Sequence, residues 1–161
     1  MVVVAIQSSC FRGKYVTLDA SGLTGFAPAG AGTAGVATFV GPNETFRLIN
    51  NPDGTVSFAS TAFKNVYLRA DGRRVASDSC HAAGGIVNAQ LGLGTWEKFF
   101  IRRPENAGKT YNGIVGLELA AFPGRFLRIQ GDDNALNVQG VMRGHEVFEI
   151  MVVGAFQSTV V

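Results

Sequence analysis

The sequence predicts an all-β domain built from three similar units around a pseudo-threefold axis. Three observations lead there: a hairpin pattern that recurs three times, a short signature closing each recurrence, and a glycine-rich, charge-poor composition. Internal repetition of this period marks an architecture in which each unit leans on its neighbours. The chain has 161 residues, 21 of them glycine, and only 16% are charged. That suits one globular domain with many turns and few helices. The domain is expected over 1–161, with repeats near 2–53, 54–104 and 113–153.

The hairpins come first. They read "VAIQSSCFRGKYVTL" from Val4, "VSFASTAFKNVYLRA" from Val56 and "VGLELAAFPGRFLRI" from Val115. Each opens on an apolar residue (Val4, Val56, Val115), with another two places on (Ile6, Phe58, Leu117). A Phe precedes the turn (Phe11, Phe63, Phe122), and a ring follows it (Tyr15, Tyr67, Phe126). Alternation with period two is the mark of a strand with one buried face.

The closing signature is Glu-x-Phe-x-aliphatic: "ETFRL" from Glu44, "EKFFI" from Glu97 and "EVFEI" from Glu146. It too alternates, so it is expected to be a strand beginning at the Glu. No single unit can cover the apolar face of its own hairpin. Three units about one axis can bury Ile6, Phe58 and Leu117 together with Phe46, Phe99 and Phe148. Closure also removes open sheet edges, provided that the first strand (Val2 to Gln7) pairs near the last (Val147 to Val153).

With "GKYVTL", "NVYLRADG", "GRFLRIQGDD" and the closing "E-x-F-x-[IL]" in view, the chain resembles the fascin-like β-trefoils over roughly residues 2 to 153. The "FPGRFLR" segment is also similar to the arabinose-binding trefoil module of arabinofuranosidases. The resemblance implies a single β-trefoil acting as a non-catalytic binding module. Two departures stand out. The Gln-x-Trp mark of ricin-type trefoil lectins is absent, and Trp96, the one tryptophan, instead precedes Glu97. Ala70 and Ile129 stand where the arabinose-binding modules commonly carry a His.

Charge narrows the classes of partner. The net charge is +2, and the basic residues are scattered, with only Arg73–Arg74 and Arg102–Arg103 adjacent. No basic stripe for nucleic acid results. The opening "MVVVAIQSSCFRGK" has no basic segment before its short apolar run, so neither a signal peptide nor a membrane span is expected. The expected location is cytoplasmic, or secreted if a leader has been removed. Cys10 and Cys80 are expected to be free thiols, a single bridge being the alternative for an exported chain.

Each chemically suggestive motif has a plainer reading. "GAGTAG" (Gly30 to Gly35) matches a dinucleotide fingerprint, but Pro28 and Pro42 leave no room for the helix it needs, so a flexible loop is expected. In "CHAAGG", Cys80 and His81 are expected to point apart, with no second pair at metal-ligand spacing. Glu44, Glu97 and Glu146 repeat in like surroundings, whereas acid–base catalysis needs unlike ones. Each is expected to tie down backbone N–H groups of a neighbouring turn. "NET" (Asn43 to Thr45) is a glycosylation sequon of consequence only in an exported protein. Neither cofactor nor metal is called for.

The candidate ligand-binding residues lie in the second turns. Asp19, Asp71 with Arg73, and Asp132, Asp133 and Asn134 recur at one place in each unit, with Arg69 and Arg128 nearby. A carboxylate or amide there, beside Tyr15, Tyr67 or Phe126, can hydrogen-bond sugar hydroxyls while a ring supports the apolar face of the sugar. His145, at "RGHEVFEI", is a further polar contact on the rim of the third repeat. The leading expectation is therefore a lectin-like carbohydrate-binding module, with a glycan or other saccharide as its partner. The alternative is a fascin-like protein that binds actin. The apolar tail "GAFQSTVV" is expected to pack on the barrel or to form a homo-oligomer contact.

Overall fold

A computed structural model describes residues 1–81, 83–104, 113–131 and 133–155. Among these lie twelve strands: β1 (Val2–Ser8), β2 (Tyr15–Asp19), β3 (Thr33–Ala37), β4 (Phe46–Asn50), β5 (Val56–Ser60) and β6 (Val66–Asp71) in the first half, then β7 (Ile86–Leu91), β8 (Phe99–Arg102), β9 (Ile114–Leu119), β10 (Phe126–Gln130), β11 (Ala135–Gln139) and β12 (Val147–Ala155). Six of them close a ring of antiparallel pairs, β1–β4–β5–β8–β9–β12 and back to β1. The other six form three hairpins, β2–β3, β6–β7 and β10–β11. The hairpins meet through the bridges Ala31↔Ala89 and Gly84↔Val138. A six-stranded barrel with three hairpins is the β-trefoil.

The seam falls where alternation and closure require it. β1 runs antiparallel to β12, from Val2 opposite Ala155 to Ser8 opposite Phe148, with a bulge between Val3 and Val4. Ile6, Phe58, Leu117, Phe46, Phe99 and Phe148 are all 0% exposed. Phe58 sits between the other two early rings, 6.3 Å from Phe46 and 5.9 Å from Phe99 between centroids. Such tilted and edge-on contacts suit aromatic quadrupoles. Each buried ring is worth about 1.5–3 kcal/mol over exposure.

The pseudo-symmetry reaches the turns. The third residue of each first turn has a left-handed backbone: Gly13 at φ 86°, Asn65 at φ 58° and Gly124 at φ 79°. Glycine and asparagine are the residues that tolerate this conformation. In the first two repeats a Ser hydroxyl at the strand end accepts the Phe amide, Ser8 from Phe11 at 2.9 Å and Ser60 from Phe63 at 3.1 Å.

Two local expectations are corrected. The closing Glu residues precede their strands, which begin at Phe46, Phe99 and Val147. Glu44 and Glu97 end short 3₁₀ turns, Pro42–Glu44 and Thr95–Glu97, because their carboxylates fold back on the turn backbone. The "GAGTAG" segment is only half a loop. Ala31 bridges to Ala89, and Thr33–Ala37 form β3 against β2, the hairpin partner outweighing the weak strand preference of Gly and Ala. Among the described residues no helix is long and apolar enough to cross a membrane. Nearly all of the apolar tail lies outside the described residues.

Candidate functional site

Alternation along the first strand of each hairpin sorts its side chains. On β6, Val66 and Leu68 join the core cluster, which leaves Tyr67, Arg69 and Asp71 on the opposite face. On β2 the opposite face carries Tyr15, Thr17 and Asp19, and on β10 it carries Phe126, Arg128 and Gln130. Register fixes the equivalence, since Tyr15 pairs with Gln7, Tyr67 with Ala59 and Phe126 with Glu118 at matching points of the ring. Across each hairpin, the middle residues Thr17, Arg69 and Arg128 face Gly35, Asn88 and Asn137.

Against this face stands the buried Glu of the closing signature. Glu44, Glu97 and Glu146 each accept a backbone N–H three residues upstream, from Gly41 (2.9 Å), Gly94 (2.8 Å) and Arg143 (2.9 Å). The turn-tying role read from the sequence is what the structure shows. The partners beyond that bond differ. Thr17 donates to the second Glu44 oxygen. Arg128 Nε lies 3.6 Å from Glu146. Arg69 makes no ion pair among the described residues. Burial pushes the Glu97 carboxyl up, against the Gly94 amide and Arg69. Burial likewise raises Glu146, against the Arg143 amide, Arg128, His145 and Arg143.

The residue before each Glu gives each repeat its own chemistry: Asn43, Trp96 or His145. In the second repeat Trp96 carries the Arg69 guanidinium 4.6 Å and the Arg73 guanidinium 4.8 Å from its ring centroid. Phe122 meets the same indole edge-on at 5.2 Å. Arg73 is also clamped on Asp71, through Nε at 3.1 and 3.2 Å and Nη2 at 2.9 Å. That clamp holds the Asp71 carboxyl below its usual range despite burial. Arg69 is 2% exposed. Its Nη1 donates to Asn88 at 3.1 Å, while its Nη2 is buried with no partner. Burial lowers the Arg69 pKa, Asp71 and Glu97 oppose the fall, and Arg73 adds to it.

The Ala27–Ala31 segment holds this site from above. Gln90 exchanges two hydrogen bonds with Ala27, and Asn88 donates to the Ala29 carbonyl at 3.0 Å. Gly30, at φ 67°, passes so close to Asn88, Ala89 and the Arg69 stem that a Cβ has no room. This is where the glycines of the false dinucleotide motif serve: they let the chain cross over a buried arginine.

The third repeat is the nearest analogue. Arg128 Nη1 donates to Gln130 (2.8 Å) and Asn137 (3.4 Å), and its Nη2 lies 3.5 Å from His145 Nδ1. His145 packs on Phe11 at 4.9 Å, and Phe11 fills the space over Gly131. The first repeat has neither arginine nor ring, only Thr17, Asp19 and Asn43 at these places. The Asp19 carboxyl is lowered by the hydroxyl and amide of Ser21.

The residues read from sequence are thus partly brought together. Arg69, Asp71 and Arg73 form one cluster, and Arg128 meets His145. Tyr67 shares a face with Asp71 but stands four strand residues away, about 13 Å at the usual rise. The ring that meets this cluster is Trp96, through Arg69 and Arg73, and it lies outside the sequence-predicted set. The turn residues of the third repeat are also displaced. Gln130 ends β10 where Asp19 and Asp71 end β2 and β6, so Asp133 and Asn134 come later. Asp133 caps the Ala135 amide, and Asn134 (φ 56°) accepts from Lys14 at 2.5 Å. Asp132 lies outside the described residues.

Other features compete less well. Cys80 Sγ and His81 Nε2 approach to 3.4 Å, contrary to the expectation that they diverge, because they lie in a turn and not on a strand. No other hydrogen bond to the His81 ring is found among the described residues, so nothing orients it as a base. Cys10 and Cys80 are free thiols. No group of three or more His, Cys, Asp or Glu among the described residues could hold a metal. A hollow of about 1100 Å³ lies elsewhere, near Cys10, Asp78, Arg102, Arg103, Met142 and Arg143. Its Glu118 is already taken by Arg102 at 2.7 Å and the Gly124 amide at 2.8 Å. Of the residues read from the sequence as candidate sugar contacts, Phe126 lines it, whereas Arg69, Asp71, Arg73, Arg128 and His145 do not.

No family model matches the chain, and no curated protein matches it. Solved structures do. The designed threefold-symmetric protein ThreeFoil superposes with a TM-score of 0.68 at 11% identity, over 94% of this chain and 99% of that one. SeviL, solved bound to the asialo-GM1 saccharide, gives 0.68 at 10% identity, over 96% of this chain and 99% of that one. A mosquitocidal holotoxin also gives 0.68, at 12% identity over 94% of this chain, but the chain spans 17% of that protein. Identities this low speak to the fold, which is the trefoil.

Proposed function

We propose that this chain is a non-catalytic, lectin-like carbohydrate-binding module whose principal site is on the second repeat. One observation carries the reading: Asp71, Arg73 and Trp96 converge at a surface, with Trp96 half-buried and Arg73 exposed. A carboxylate accepts hydrogen bonds from sugar hydroxyls, a guanidinium donates to them, and an indole covers the C–H face of a pyranose. Those are the functional groups that a saccharide needs. Arg73 is exposed although Asp71 is buried, so a ligand that takes Arg73 must offer the carboxylate hydroxyl donors in its place. Arg128 and His145 make a poorer copy in the third repeat, and Asp19 with Asn43 a poorer one still. That SeviL carries a saccharide on the same fold agrees with this use of it.

A glycan array tests the proposal, run with the native chain and with Asp71→Asn and Trp96→Ala. Binding by the native chain, weakened at least tenfold in both variants, is the expected result. A blank array accompanied by salt-sensitive co-sedimentation with actin would overturn the reading in favour of a filament-binding protein.

A further inference from the structure

Within that carbohydrate reading, we infer that the second-repeat site selects acidic saccharides, those bearing a carboxylate or a sulfate ester. The inference starts from an unpaired charge. Arg69 is almost wholly buried, its only hydrogen bond among the described residues goes to the Asn88 amide oxygen, and its Nη2 has no partner. A buried cation ordinarily has an anion or a full set of acceptors. In the other repeats the equivalent place is satisfied. Thr17 bonds to Glu44 directly, and Arg128 contacts Glu146, Gln130, Asn137 and His145. Only the second repeat leaves its arginine short of an acceptor.

A second guanidinium lies across the same ring. Arg69 and Arg73 both sit within 4.8 Å of the Trp96 centroid. Arg73 commits its Nε and Nη2 to Asp71, and its side chain remains 62% exposed. An oxyanion seated beside Trp96 adds a close anion to Arg69, whose carboxylate neighbours Asp71 and Glu97 make no ion pair with it. It also draws Arg73 off Asp71, which then accepts hydroxyls of the same sugar. Planar guanidinium groups suit carboxylate and sulfate oxygens through paired N–H donors. The neutral sugar ring and its charged substituent are thereby read by different residues of one site.

The test is a titration of the native chain with one neutral oligosaccharide, its uronic-acid counterpart and its sulfated counterpart, at low and high salt. Sulfated and carboxylated arms identify which oxyanion is preferred, and inorganic sulfate is a further arm. The expected result is at least tenfold tighter binding of one acidic form than of the neutral parent, with the gap narrowing as salt rises. Arg73→Gln, at an exposed position, should reduce that ratio to threefold or less, and Arg73→Lys should restore part of it. Arg69→Gln is read by the same ratio once its folding has been checked. Equal affinity for neutral and acidic forms would overturn the inference while leaving carbohydrate binding intact. Inorganic sulfate binding as tightly as the sulfated sugar would overturn it as well, since the site would then recognise an anion and not a saccharide. Absence of binding in every arm would remove the carbohydrate reading itself.

Discussion

Replacing Gly30 by Ala tests the packing over the buried arginine. Two separate costs fall on the new methyl. Gly30 has φ 67°, where an L-residue loses about 1–2 kcal/mol. The Cβ would also stand 2.5 Å from Asn88 Oδ1, 2.8 Å from the Ala89 carbonyl oxygen and 2.8 Å from Arg69 Cδ. The Ala89 carbonyl cannot retreat cheaply, because it accepts the Ala31 amide at 2.9 Å. Overpacking of this kind adds about 1–3 kcal/mol, for a total of about 2–5 kcal/mol. Gly13→Ala isolates the first cost, since Gly13 has φ 86° and nothing within 4 Å of the added Cβ. Urea unfolding of the two variants should therefore separate them by at least about 1 kcal/mol at unchanged m. Equal losses within about 0.5 kcal/mol would refute the claim that the crossing segment is pressed against Arg69 and Asn88.

Phe58→Ala removes the central ring of the core and should cost about 3–5 kcal/mol in the same urea assay. Asn65→Gly relieves a non-glycine at φ 58° and should raise stability by up to about 1 kcal/mol, read as a shift in the urea midpoint. Burial raises the Glu97 and Glu146 carboxyls, so the folded state holds these protons more tightly than the unfolded chain. Stability should then fall as pH climbs from the ordinary glutamate range through the raised values, and Glu97→Gln should flatten part of that fall in urea midpoints measured from about pH 5 to 8. Trp96 is the one tryptophan, so a saccharide that displaces Arg73 should change intrinsic fluorescence, whereas ligand bound at the third repeat should leave it unaltered.

The barrel was legible because its residues obey a period. Ile6, Phe58 and Leu117 recur at one offset from a turn, and Phe46, Phe99 and Phe148 recur two places after a Glu, so burial follows from alternation alone. The turn-tying glutamates were also readable from their context. The site was less so. Tyr67 and Asp71 look adjacent in a line of text but stand apart on an extended strand. Trp96 comes to Asp71 from a different segment, and nothing local announces that meeting. One signal was available: the residue before the Glu is Asn43, Trp96 or His145, a different polar or aromatic group beside a carboxylate that all three repeats keep. Gln130 escaped notice because Asp132 to Asn134 satisfied the composition of a turn without satisfying the register of β10.

The seam between β1 and β12 bears on how the molecule is made. Within this chain β12 follows "VVVAI" by well over a hundred residues, so one edge of β1 stays open until β12 has been made, while β4 can cover the other. Pairings so remote along the chain form slowly, and an open apolar strand edge invites association with other copies. Prompt pairing of β12 with β1 therefore limits how long that edge is exposed.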